Sequence, residues 1–149
     1  MISNKVIQYL KKNGWWFNES TEVYKNALLS VGVDIDSGMA FFFMHAEDGP
    51  IFSGKKNDIY QLCWFILNTD YQLNIKSTHE ALGLPDEYIP LDSFEGGGGY
   101  FYNKKTDEVI ELELGEQLSR FLSGELKPQW KDFNSFIEDF FSVKGNKEN

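Results

Sequence analysis

The sequence predicts an α+β domain, and three observations carry that expectation. Apolar residues recur at helical spacing ahead of residue 45 and again beyond residue 116. Between them, "GYFYN" and "EVIELEL" flank a four-residue polar turn of hairpin length, and the second alternates apolar with acidic positions. No repeat or second domain divides the 149 residues. One domain is therefore expected over 1–142, long enough to bury a core without staples, with a disordered polar tail at 143–149.

Residues 4–13 read as a first helix, with Val6, Ile7 and Leu10 on one face and Asn13-Gly14 as its stop. Ser20 or Thr21 can cap a second. In it Tyr24, Ala27, Leu28 and Val31 follow the i, i+3, i+4, i+7 pattern, and Gly32 is placed for a left-handed close. Asp36 or Ser37 offers the next cap for "GMAFFFMHAEDG", read as a buried helix that Asp48-Gly49-Pro50 ends. A strand is expected near Ile51 and Phe52, then a strand or short helix from Ile59 to Leu67. Residues 68–92, polar and broken by Pro85 and Pro90, are expected to be an irregular connection, with one helical turn at most in "STHEALGLP".

In the second strand of the hairpin, Ile110, Leu112 and Leu114 point one way and Glu111 and Glu113 the other. This predicts one buried face and one wet, acidic face. Two helices close the chain. One groups Leu118, Phe121 and Leu122 ahead of Gly124. The other has Asp132 as its cap and an apolar stripe of Phe133, Phe136, Ile137, Phe140 and Phe141.

Composition narrows the function. Aromatic residues make up 16% of the chain, thirteen of them Phe, so the core or a groove must be built from large rings. The net charge is −9, and residues 86–125 hold ten acidic residues against Lys104, Lys105 and Arg120. Such a surface repels nucleic acid and anionic lipid and attracts basic partners. No apolar run nears the ~20 residues of a membrane span, and "MISNKVIQYLKKNG" lacks the features of a signal peptide. The single cysteine, Cys63, is flanked by apolar residues, so a buried, inert thiol in a reducing, cytoplasmic setting is expected.

Catalytic chemistry finds little material. A phosphate-binding glycine loop opens a helix, whereas Gly96–Gly99 lead into a strand beside Glu95, whose charge opposes an anion. They read as a flexible turn or bulge. His45, His79 and Cys63 form no pair at metal-ligand spacing, so no metal and no cofactor is expected. A triad is improbable with two isolated histidines, and His45 reads as a core or cap residue. Glu111 and Glu113 share a strand face, and a glycosidase-type pair is one reading of them; alternating Glu on a solvated strand is the commoner one. What remains is recognition. Glu95, Tyr100, Tyr102, Glu111 and Glu113 are the candidate partner-binding residues, with the alternative that both tyrosines face the core.

Taken in order, these pieces resemble the SUKH superfamily of bacterial immunity proteins and their fungal cell-wall-regulator relatives. The likeness rests on the helix before Asp48-Gly49 and on "IPLDSFEGGGGYFYNKKTDEVIEL" as a strand, acidic glycine-rich turn and hairpin. It extends to a final helix anchored by Trp130, Phe133 and Phe136, and spans most of residues 20–141. One departure is the absence of proline in "DIDSGMAF". The resemblance implies a mainly antiparallel sheet flanked by N- and C-terminal helices. It also implies a non-catalytic protein that neutralises a cognate polymorphic toxin, such as a basic nuclease or deaminase domain. A regulatory scaffold for other proteins is the alternative. The family has no shared catalytic set to carry over.

Overall fold

Side-chain oxygens placed just ahead of apolar runs decide where most of the helices begin. In the computed structural model, which describes residues 1–143, α1 (Asn4–Lys12) buries Val6 and Leu10. α2 (Glu22–Ser30) starts where Thr21 Oγ1 accepts from Tyr24 N at 3.1 Å. α3 (Gly38–His45) starts the same way, with Ser37 Oγ accepting from Ala40 N at 3.1 Å. Met39, Ala40, Phe42 and Phe43 are all buried, so α3 is a core helix. It stops at His45, ahead of the Asp48-Gly49-Pro50 corner that the sequence marks as its end. The reason is local pairing: Phe17 N donates to His45 O (2.7 Å) and Glu47 N to Trp15 O (2.9 Å), which draws residues 45–47 into an extended path.

A small antiparallel sheet pairs β1 (Ile51–Ser53) with β2 (Asp58–Tyr60), Phe52 opposite Ile59. The strand-or-helix choice at 59–67 resolves as both, because α4 (Leu62–Asn68) follows at once. Gln61, fully buried, lies at the junction. Its Oε1 accepts from Trp64 N at 3.2 Å, and its Nε2 donates to Phe43 O and Ala46 O, both at 2.8 Å. One amide thus starts α4 and satisfies carbonyls at the end of α3.

Residues 68–92 overturn the expected irregular connection. They hold the longest helix of the described residues, α5 (Tyr71–Leu82). Asp70 Oδ1 accepts from Leu73 N at 3.2 Å, and Gly83, left-handed at φ 71°, closes the helix. With Tyr71 and Leu82 its buried residues, the helix has a thin apolar stripe, which polar composition hid.

The main sheet is antiparallel in the order β3 (Tyr88–Pro90), β4 (Gly98–Asn103), β5 (Val109–Glu113), with Tyr100 opposite Glu111 and Phe101 opposite Ile110. Asn103 Oδ1 holds the polar turn by accepting from Lys105 N (2.8 Å) and Thr106 N (3.1 Å). Paired residues share a face. Ile89, Tyr100, Tyr102 and Val109 enter the main core, where α7 (Phe133–Phe140), capped by Asp132, lays Phe133 and Phe136 against the tyrosines. Tyr88, Phe101, Ile110 and Leu112 form a second cluster with Leu82 and Leu84, which Leu118 and Phe121 of α6 (Glu116–Leu122) cover.

This corrects the reading of one wet face. β4 is covered on both sides, and Glu111 and Glu113 share the face that lower down is core. Leu114 and Leu122, grouped with the buried residues by their spacing, stay exposed. Along the outer edge of β5, Val109 pairs with Trp130. Gln129 Oε1 accepts from Glu111 N (2.8 Å) and its Nε2 donates to Glu111 O (3.1 Å). The elements make one α+β domain. No described helix is long and apolar enough to cross a membrane. Of the expected polar tail, 144–149 lie outside the described residues.

Candidate functional site

The glycine run does two different jobs. Gly96 and Gly97, at φ 73° and 82°, carry a tight turn that follows Phe94, itself left-handed at φ 56°. Gly98 and Gly99 belong to β4. The reason for the last of them is Asp92. Its Oδ1 accepts from Phe94 N (3.1 Å) and its Oδ2 from Tyr100 N (3.3 Å), so one carboxylate fastens both ends of the loop. A β-carbon on Gly99 would overlap Asp92 Oδ1.

Three segments meet around this loop. The β1–β2 turn, closed by Gly54 N donating to Asn57 O (3.1 Å), presents Lys56 and Asn57. The loop brings Asp92 and Glu95, and β5 contributes Glu111 and Glu113. They enclose two adjoining open cavities of about 400 and 240 Å³, which share Lys56, Asn57, Glu95 and Gly98. Glu95 and Glu113 are exposed and Glu111 is half-buried. Lys56 Nζ binds Glu111 Oε2 at 2.8 Å. Lys56 is the one basic residue on either wall, so the groove keeps a net negative charge.

Asp92 is buried. Burial pushes its carboxyl up to about 7; the two backbone N–H bonds oppose this and the charge of Glu111 adds to it. The folded state therefore holds the proton more tightly than the unfolded chain does. Stability contributed by this group falls as pH rises from about 4 to about 7 and levels off above that. Denaturant unfolding from pH 4 to 8 checks this. The wild type should lose on the order of 1 kcal/mol or more relative to Asp92→Asn over that range, since one pKa unit is worth ~1.4 kcal/mol. Parallel curves for the two proteins would show that Asp92 ionises as an ordinary carboxylate.

The candidate partner-binding residues separate into two groups. Glu95, Glu111 and Glu113 converge on the groove. Tyr100 and Tyr102 do not line it and are core residues, 5% and 2% exposed, although the Tyr100 hydroxyl meets the Asn57 side chain from behind. Tyr100 packs edge-on to Phe136 with ring centroids 4.9 Å apart; Tyr102 donates to Asp107 Oδ1 at 2.7 Å. Alternation along one strand could not reveal α7 crossing this face. Asp92, Lys56 and Asn57 were not foreseen. The "DSF" step after the IPL strand, an Asp two residues ahead of the N–H it accepts from, was the available signal for Asp92.

Elsewhere, chemistry-bearing side chains are tied to structure. His79 Nε2 lies 2.6 Å from Tyr88 O, and His45 Nδ1 lies 2.8 Å from Phe17 O. Cys63 is buried, its thiol pushed up to about 12 by burial, then by the charge of Glu47. No group of three or more His, Cys, Asp or Glu among the described residues could hold a metal ion. The groove offers convergent negative charge, backbone-rich glycine walls and one movable cation, which suits recognition of a cationic surface. Comparisons with protein-family models, with curated proteins and with solved structures find no match to this chain.

Proposed function

We propose that the chain is a non-catalytic binding protein of the immunity type, which neutralises a cognate toxin by covering a basic surface of it. One observation carries this reading: Glu95, Glu111 and Glu113, from two separate segments, line one open groove with Lys56 as their single counter-charge. A toxin that acts on nucleic acid needs a basic substrate groove. An inhibitor that occupies the groove must replace the charge of the phosphates. The acidic span 86–125 extends the same potential beyond the groove.

Co-expression with the toxin encoded beside this gene tests the reading. Restored growth and a stable isolated complex are expected. Failure of both would sink it, and capture of host proteins in cells without the toxin would favour the scaffold reading instead.

The groove itself has a separate test. Glu95→Lys with Glu113→Lys should slow association with the basic partner by about tenfold at low salt, with less effect on dissociation. Both side chains are exposed, so the melting temperature should stay near that of the wild type. An unchanged association rate would remove the groove from the interface.

A further inference from the structure

A second cavity, independent of the acidic groove, forms where residues 15–21 cross the end of α3. It is open and holds about 320 Å³, at the small end of ligand pockets, which run from about 300 to 1,000 Å³. Its walls are fastened by backbone bonds, Phe17 N to His45 O and Glu47 N to Trp15 O. Phe17 and Met44 make the body apolar, with the fully buried Phe43 behind them, while Glu19, Tyr24 and Glu47 make one part of the lining polar.

The polar part is organised for a cation. Tyr24 Oη donates to Glu47 Oε1 at 2.9 Å, which fixes the carboxylate. The other oxygen, Oε2, takes no hydrogen bond from the described residues. Glu19 and Glu47 face the cavity with no lysine or arginine on its lining; the one base there is His45, whose Nδ1 is held 2.8 Å from Phe17 O. At the rim Phe17 is 51% exposed, in a protein whose other phenylalanines are all buried or half-buried. An anion is repelled here. A wholly apolar occupant would desolvate two carboxylates and leave them unpaired.

We propose that this cavity receives an arginine side chain of a protein partner. The aliphatic stem packs on Met44, the guanidinium plane stacks on Phe17, and its N–H fork donates to Glu47 and Glu19. Arginine matches better than lysine because its planar fork pairs with carboxylates and its face stacks on a ring. The site extends the proposed binding role with a specific anchor, as interfaces draw much of their affinity from a few buried arginine and aromatic residues.

NMR titration of the full chain with N-acetyl-arginine-N-methylamide tests the assignment. Saturable shifts should appear at Phe17, Met44 and Glu47. The citrulline analogue, equal in shape and neutral, should bind about tenfold weaker or worse, the worth of a charge-assisted pair. Glu47→Gln should weaken the arginine probe by a similar factor while still accepting from Tyr24, and Glu19→Gln, at an exposed position, by less. Equal binding of citrulline, indifference to Glu47→Gln, absence of saturation, or shifts confined to Glu95 and Glu113 would each overturn it. The Glu95→Lys, Glu113→Lys protein should bind the probe as the wild type does, which separates failure here from failure of the groove.

Discussion

Gly99→Ala is expected to destabilise the fold by about 3 kcal/mol, the sum of an overpacking cost and a broken buried hydrogen bond. The added β-carbon overlaps Asp92 Oδ1 and lies 3.0 Å from its Cγ and Oδ2. Asp92 cannot yield cheaply, because its two oxygens hold Phe94 N and Tyr100 N and the residue is buried. Gly96→Ala makes a useful contrast. Its β-carbon meets nothing within 4 Å, so the cost is the left-handed φ of 73°, about 1 kcal/mol. Urea unfolding of the two variants should rank them in that order. Asp92→Gly in the Gly99→Ala background should recover part of the loss, read as a coupling in a double-mutant cycle. Equal effects at the two glycines would refute the idea that Gly99 exists to admit Asp92.

Gln61→Leu should cost still more, on the order of 4 kcal/mol, although leucine is similar in size. The substitution strips the partner from Trp64 N and from Ala46 O, and leaves Phe43 O with only the weak Cys63 thiol donor 3.7 Å away, at a site with no solvent exposure. Each buried polar group left unpaired costs about 1–3 kcal/mol. Gln61→Glu discriminates the mechanism. It keeps an acceptor for Trp64 N but turns an anion toward two carbonyl oxygens. That variant should be less stable at pH 8 than at pH 5, because the buried carboxyl must lose its proton at the higher value. Thermal unfolding at both values checks it. A pH-independent penalty would mean that Nε2 contributes little.

The helices were legible wherever a cap preceded a strong apolar stripe, as with Thr21, Ser37 and Asp132. α5 was not legible, because a helix with few buried residues looks like a loop in composition; Asp70 and Gly83 were its markers, and neither is specific on its own. At the groove, Glu111 and Glu113 were found by period-two alternation, and Glu95 by its place beside the glycines. The same alternation misplaced Tyr100 and Tyr102. Local pattern shows which residues share a face, while what covers that face depends on α7, thirty residues away in sequence. Asp92 and Gly99 need each other through a contact that no spacing rule expresses.

The Gln129 amide has a consequence for how this protein meets others. By donating to Glu111 O and accepting from Glu111 N, it fills the hydrogen-bonding slot that a neighbouring strand would use, and Trp130 fills the next one at Val109. That edge is therefore shut to strand addition at Val109 and Glu111, whether by a partner's peptide or by a second copy on the way to a fibril. A partner that approaches over these two residues must be selected by charge and side-chain shape, since their backbone groups are already paired.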